Sequence, residues 1–297
     1  MAMRMMLIGK GGQVGFELQR ALAPLGEVMA VDYPDCDLAD AASIRSTIAA
    51  ARPQVIVNAG AYTAVDKAET EPQRVQAING LAPGVIGAAA SAIGARVIHY
   101  STDYVFDGTK SRAYLESDHT NPLGVYGATK RAGEEALAAS GARHFTFRTS
   151  WVFGAHGGNF VKTILRLAAE RDGLNVVADQ IGAPTSAALI ADVTAQVLGQ
   201  LAYRPDGDMP SGIYHLVAAG ETSWHGFAQA IVAGALARGH SLRLGPEAIR
   251  RIATSEYPLP ARRPANSRLD TSRLQQTFGL VMPPWQSGLD HVLTQIL

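Results

Sequence analysis

Apolar residues fall in short blocks along the first half of the chain, and the spacing within the blocks alternates. MMLIG, EVMAVD, QVIVNAG, ARVIHYSTD and HFTFRTSWVFG are dense in Val, Ile and Phe. Such runs suit strands that are covered on both faces. Between them, VGFELQRALAPLG, AASIRSTIAAARP and PQRVQAINGLAPGVIGAAASAIG carry apolar residues at helical spacing. The last of these is expected to break near Pro83, because proline removes a helical hydrogen bond. Strand and helix in alternation predict a parallel sheet with right-handed crossovers, wound with helices on both faces.

After about Trp151 the alternation loosens. Helices are expected at NFVKTILRLAAER, SAALIADVTAQVLGQLA and SWHGFAQAIVAGALARG, and strands at LNVVAD and GIYHLVA. A proline-rich loop, YPLPARRP, leads to NSRLDTSRLQQTFG and a last helix. The expected division is a cofactor domain over residues 1–150, to which the chain returns after residue 180. A smaller α/β substrate domain takes most of residues 151–297.

Composition narrows the class. The chain has 297 residues, 47% hydrophobic and 18% charged, with a formal net charge of zero. Nothing in it forms a basic stripe for nucleic acid or a charged tail. The single cysteine, Cys36, has no partner for an internal disulfide. The apolar run at the start is too short for a signal or a membrane span. These features predict a cytoplasmic protein with no nucleic-acid or membrane partner.

The first chemistry lies directly after the first strand. GKGGQVG sets Gly9, Gly12 and Gly15 between that strand and the first helix. This is the spacing of a dinucleotide cradle: Gly9 for a tight turn, Gly12 for backbone approach to a pyrophosphate, Gly15 for close helix–sheet packing. The helix N-terminus adds free N–H donors beside Gln13 and Val14. Asp32 closes the second strand and is placed to accept hydrogen bonds from an adenosine ribose, which argues for NADH. Asp37 and Leu38 follow as candidates to frame the adenine. The fold expected is thus a Rossmann-like doubly wound α/β sheet.

The second is a trio. Tyr126 and Lys130 lie four positions apart in VYGATK, on one helical face. Thr102, in HYSTDYVF, ends the fourth strand. A lysine ammonium beside a phenol favours the phenolate, so Lys130 is expected to lower the pKa of Tyr126. A hydroxyl such as Thr102 then holds a substrate oxygen at the phenol.

Taken together, GKGGQVG, AYTAVDKAE, HYSTDYVFDG, NPLGVYGATKRAGE, RTSWVFG, DQIGAPT and YPLPARRPANSRLD resemble the dTDP-4-dehydrorhamnose reductases almost end to end. These are extended members of the short-chain dehydrogenase/reductase superfamily. The resemblance implies hydride transfer from NADPH or NADH to the C4 keto carbon of a dTDP-6-deoxy-4-ketohexose, giving dTDP-L-rhamnose. It implies Tyr126 as general acid and Lys130 as its modulator and a ligand of the nicotinamide ribose. Thr102 would orient the carbonyl, with Asp103 beside the sugar and Trp151 packed against it. Ala61, Tyr62, Thr63 and Tyr100 would border the cofactor.

A nucleotide-sugar also brings a diphosphate. Arg262, Arg263 and Arg268 flank the proline-rich loop and are candidates to bind it, with Asn266 and Ser267 adding hydrogen bonds. His99 and His215, inside apolar strands, read as core histidines, and Trp224 with Phe227 as core packing. Some members of the family form Mg²⁺-bridged dimers through glutamates. Glu17 fits one such position, but Ala187 and Ala188 stand where another glutamate belongs, and the last helix offers only Asp290. A metal-bridged dimer is therefore not expected, Glu17 reads as a surface residue, and a monomer or another homodimer is. Two rivals stay open: a nucleotide-sugar 4-epimerase or 4,6-dehydratase on the same scaffold, and a dinucleotide-binding regulatory subunit without turnover.

Overall fold

A computed structural model describes residues 2–201, 203–204 and 209–297. Five strands follow the predicted blocks: β1 (Met3–Ile8), β2 (Gly26–Val31), β3 (Val55–Asn58), β4 (Arg96–Thr102) and β5 (His144–Thr149). Short strands come next: β6 (Val152–Phe153), β7 (Leu174–Val177), β8 (Ile181–Gly182) and β9 (Thr185–Ser186). The chain continues with β10 (Gly212–His215), β11 (Thr222–Ser223) and β12 (Ile249–Ile252). The central sheet is parallel and six-stranded, in the order β10-β5-β4-β3-β1-β2.

Alternation along each strand feeds two cores. Met5 and Leu7 of β1 face one side with Val57, Ile98 and Phe147; Met6 and Ile8 face the other with Ile56 and Val97. Helices α1 (Gln13–Leu22) and later α8 (Ala187–Gln200) cover the first side. Helices α2 (Ala41–Ala51), α5 (Ala82–Ala92) and α6 (Val125–Ala139) cover the second. Each apolar side chain fully buried in these layers contributes roughly 1.5–3 kcal/mol.

Between β3 and α5 lie two short helices, α3 (Val65–Ala68) and α4 (Pro72–Val75). The break expected near Pro83 takes the form of a wide π turn over Gln76–Leu81, after which Pro83 opens α5. The buried Asn79 of this turn gives its amide to the backbone of Tyr62, pairing with both its N–H and its C=O at 2.9 Å.

A third core is built by α7 (Phe160–Glu170), α9 (Trp224–Ala237) and α11 (Trp285–Ile296), with β7 paired to β12. The small helix α10 (Ser272–Phe278) returns Leu274 and Phe278 to the first core.

Two expectations are corrected. HFTFRTSWVFG is not one strand: β5 stops at Thr149, and Trp151 takes φ +48° before β6 begins. Glu17 is not a surface residue; it is 7% exposed, on the face where Arg20 reaches from α1 to Asp192 of α8.

Candidate active site

The glycine turn is shaped by contact rather than by composition. Gly9 takes φ +86°, and its N–H bonds the Val31 carbonyl at 3.0 Å, tying the turn to β2. A Cβ there would lie 2.5 Å from the Gly60 nitrogen, and a Cβ on Gly15 would fall on the Gly9 carbonyl. Helix α1 starts at Gly12 with no side-chain cap, unlike α2, α7, α8 and α9, which Asp40, Asn159, Ser186 and Ser223 cap. Its first N–H groups therefore stay available to an anion.

This turn opens into a cleft of about 1000 Å³. Gly9, Gly12, Gln13, Val14, Asp32, Asp37, Leu38, Ala61 and Thr63 line it together with Tyr100, Thr102, Asp103, Tyr126, Lys130 and Trp151. The carboxylate of Asp32 accepts from the N–H groups of Gly11 and Tyr33 at 2.9 Å, so it also holds the turn. Tyr62 does not line the cleft; its phenol donates to Glu71 at 3.0 Å. Tyr100 lines it, but its hydroxyl is engaged with Thr194 at 2.8 Å in the core. On the floor, the buried hydroxyls of Ser101 and Thr149 have no partner within the protein. Buried polar atoms of this kind fit a polar ligand lying over them. A free helix N-terminus, an acid at the end of β2 and orphan hydroxyls on the floor together fit a dinucleotide.

Tyr126 and Lys130 project from the first two turns of α6 into the same cleft. Burial pushes the Tyr126 phenol up to about 12, aided by Asp103 and only partly offset by a hydrogen bond with Thr102. The net shift of Tyr126 is thus upward rather than the expected downward one, because desolvation dominates it. Burial likewise brings Lys130 down to about 8, with Glu134 holding it up. Asp103, which accepts from the Thr102 hydroxyl at 3.0 Å, is raised by burial to about 6. Two partners of Lys130 lie on β4: its Nζ donates to the Tyr100 carbonyl and sits 3.4 Å from His99 Nε2. His99 is a core histidine with a partner at each ring nitrogen, as expected, and one of those partners is Lys130.

Trp151 stacks face to face on Trp224, with ring centroids 3.7 Å apart. Gly182 leaves room for it, since a Cβ there would lie 2.7 Å from the indole. The left-handed backbone of Trp151 costs about 1 kcal/mol or more, and such strain collects at functional sites. Trp224 lines a second cleft of about 980 Å³ with Phe160, Ile164, Val176, Tyr257, Arg262 and Arg263. Trp224 is thus a cleft residue, while Phe227 stays in the core.

The basic loop divides. Arg263 grips Asp66 of α3 through two bonds, at 3.0 and 2.7 Å, while lining the second cleft. Asn266 and Arg268 line neither cleft. The amide N–H groups of Asn266 go to the Lys110 and Arg112 carbonyls, and Arg268 bonds the Ser111 carbonyl, Asn266 and Glu221. They staple the loop that the Tyr114–Leu269 bridge brings alongside.

A model of the RmlD substrate binding domain matches residues 3–297. The chain belongs to this family. Among RmlD relatives, the dTDP-4-dehydrorhamnose reductase of Escherichia coli (strain K12) is 49% identical over 298 residues, covering 99% of this chain and 98% of its own. That of Burkholderia thailandensis is 49% identical over 296 residues, covering 99% of each. A crystal structure of the Bacillus anthracis dTDP-4-dehydrorhamnose reductase in complex with NADP superposes with a TM-score of 0.89. It is 32% identical and covers 99% of this chain and 100% of that one.

Several residues at or beside the first cleft carried no functional signal in the sequence. Asn58 and His99 lie in apolar strands, and only the parallel register sets them side by side. Arg74 lines the first cleft from α4, far in sequence from Asp32. Asp66 was visible within the TAVDKAE motif, but its partner stands 197 positions away. Among the described residues, no group of three or more His, Cys, Asp or Glu side chains is placed to hold a metal ion. No helix among them is long and apolar enough to cross a membrane.

Proposed function

We propose that the protein reduces the C4 keto group of dTDP-4-dehydro-6-deoxy-L-mannose to dTDP-L-rhamnose, with NADPH or NADH as reductant and Tyr126 as general acid. The observation that carries this reading is a meeting of groups. Thr102, Asp103, Tyr126 and Lys130 converge where the glycine cradle ends, and the Trp151–Trp224 stack joins that point to the second cleft. The reading puts the dinucleotide in the first cleft, with its pyrophosphate on the N-terminus of α1, and the nucleotide-sugar in the second, with its diphosphate near Arg262 and Arg263.

A reduced nicotinamide bound there supplies the hydride. The protein handles the other half of the reaction. Negative charge develops on O4 as the carbonyl is reduced, and a positioned donor lowers the barrier at that atom. Thr102 orients the oxygen and Tyr126 gives it a proton. A phenol held near 12 is protonated at neutral pH and still gives up its proton readily to a developing alkoxide. Lys130 orients the ribose and steadies the phenolate that forms.

The relatives at 49% identity are named as reductases, which supports reduction over the rival chemistry. An epimerase or dehydratase begins by oxidising its sugar and needs a base at this position. A role in the nucleotide-sugar metabolism of the cytoplasm fits this reading, and the family relationship supports it. The test supplies dTDP-4-dehydrorhamnose with each reduced dinucleotide and follows nicotinamide absorbance. Oxidised cofactor accumulating one-for-one with dTDP-rhamnose supports the reading. A tightly held, regenerated cofactor refutes it.

A further inference from the structure

The register of the central sheet sets Asn58 of β3 directly opposite His99 of β4. Both side chains point to the face that α6 covers, and both are almost wholly buried. Asn58 Oδ1 accepts from the Gly60 N–H at 3.3 Å, which orients the amide and turns Nδ2 toward His99 Nδ1 at 3.2 Å. An amide N–H2 only donates, so Nδ1 is the accepting nitrogen. The ring proton of the neutral imidazole then sits on Nε2, and Nε2 faces Lys130 Nζ at 3.4 Å. Burial, Lys130 and His144 all hold the ring far below the usual histidine range, so it stays neutral.

An ammonium has three N–H groups and no lone pair, and an N–H pointed at it is repelled. A neutral amine has a lone pair to receive that N–H. We propose that Asn58 and His99 are positioning residues for Lys130: they fix the ring tautomer that presents Nε2–H to Nζ, so that Lys130 serves as a proton carrier rather than a permanent cation. After Tyr126 has protonated O4, the Lys130 ammonium passes one proton to the phenolate, becomes the neutral amine and regains a proton from water, which leaves as hydroxide, with no net change in the protein.

The surroundings of Nζ are consistent with this. Glu134 acts on it from one turn along α6 and is itself paired with Arg148 of β5, while Tyr126 and Asp103 line the same cleft. His144 acts on His99 from the far end of β5. Within the group, Glu134 favours the ammonium and burial opposes it. The Nε2–H dipole adds to the opposition.

The inference rests on Lys130 belonging to the active site, but its test reads protons directly and does not depend on the substrate. Protein labelled with ¹⁵N-histidine and ¹³C-lysine is studied by NMR without cofactor, with His99 assigned through its backbone correlations. The expected result is an Nε2–H tautomer of His99 that persists from about pH 6 to about pH 9. Asn58→Asp, whose carboxylate only accepts, moves the ring proton to Nδ1. His99→Phe removes the opposing N–H and raises the Lys130 titration by about one pH unit. A ring proton on Nδ1 in the native protein, or an imidazolium in that range, overturns the proposal. So does a Lys130 titration that stays in place or falls in His99→Phe. If that variant fails to fold, the tautomers of the native protein and of Asn58→Asp decide alone.

Discussion

The pair Glu134–Arg148 supplies the sharpest quantitative test of how the site is supported. Both side chains have no solvent exposure. The guanidinium meets the carboxylate through two bonds, Nε to Oε1 at 2.8 Å and Nη2 to Oε2 at 2.7 Å, and lies 5.1 Å from the Phe106 ring centre. Removing one partner of such a pair leaves a buried charge without its counterion, which costs about 3–5 kcal/mol. Glu134→Gln keeps one acceptor and should fall at the lower end, about 3 kcal/mol. With a urea m value of about 3 kcal/mol/M, the unfolding midpoint drops by about 1 M. The double variant Glu134→Leu/Arg148→Met, which removes both charges, should recover most of that loss. Glu134 also supports the ammonium of Lys130 from one turn along α6, so Glu134→Gln should shift the basic limb of kcat to lower pH. Urea unfolding followed by circular dichroism checks the stability terms. A Glu134→Gln midpoint within about 0.3 M of the parent would refute the assignment of a buried charge pair, because about 1 kcal/mol is the scale of exposed pairs.

Tyr126→Phe should lower kcat by about 10²–10⁴-fold while dinucleotide affinity stays within a few-fold, read by steady-state kinetics and by titration calorimetry. Gly9→Ala should abolish dinucleotide binding, since its Cβ would lie 2.5 Å from the Gly60 nitrogen in a left-handed turn; calorimetry with NADH and NADPH checks it. Trp224→Ala should raise KM for the nucleotide-sugar more than it lowers kcat, because it opens the wall between the clefts. Asp103 gives a pH signature. Its folded pKa of about 6 lies above the unfolded value of about 3.9, so its contribution is complete below about pH 4 and is lost as pH rises through about 6. The stability of the parent relative to Asp103→Asn should therefore fall by about 2–3 kcal/mol between those values, and a flat difference would remove Asp103 from the buried cluster.

The parts of the molecule legible in the sequence are those fixed by local periodicity or tight spacing. Strands β1 to β5 are continuous apolar runs, and Gly9, Gly12 and Gly15 follow β1 at fixed intervals. Tyr126 and Lys130 needed only helical spacing to share a face. What escaped depends on long-range register and on where a side chain turns. His99 read as a satisfied core histidine, but its partners could not be named, because Asn58 and Lys130 lie 41 and 31 positions away. Asn266 and Arg268 carried the right donors for a diphosphate, but neighbouring backbone carbonyls of residues 110–112 engage them. Glu17 looked exposed on α1 because the covering helix, α8, arrives some 170 positions later. The sign of the Tyr126 shift was missed because residue spacing carries charge but not the depth of burial.

The stacked indoles of Trp151 and Trp224 make the protein its own optical gauge. The chain has three tryptophans, and the third, Trp285, lies edge-on to Phe227 inside the core built by α7, α9 and α11. Transitions on two parallel rings 3.7 Å apart couple, so the pair should contribute a split ultraviolet dichroism band that an isolated indole lacks. One ring borders each cleft, and a guest entering on either side would tilt or separate them. Loading order at the two clefts could then be followed in unlabelled protein by a single optical signal.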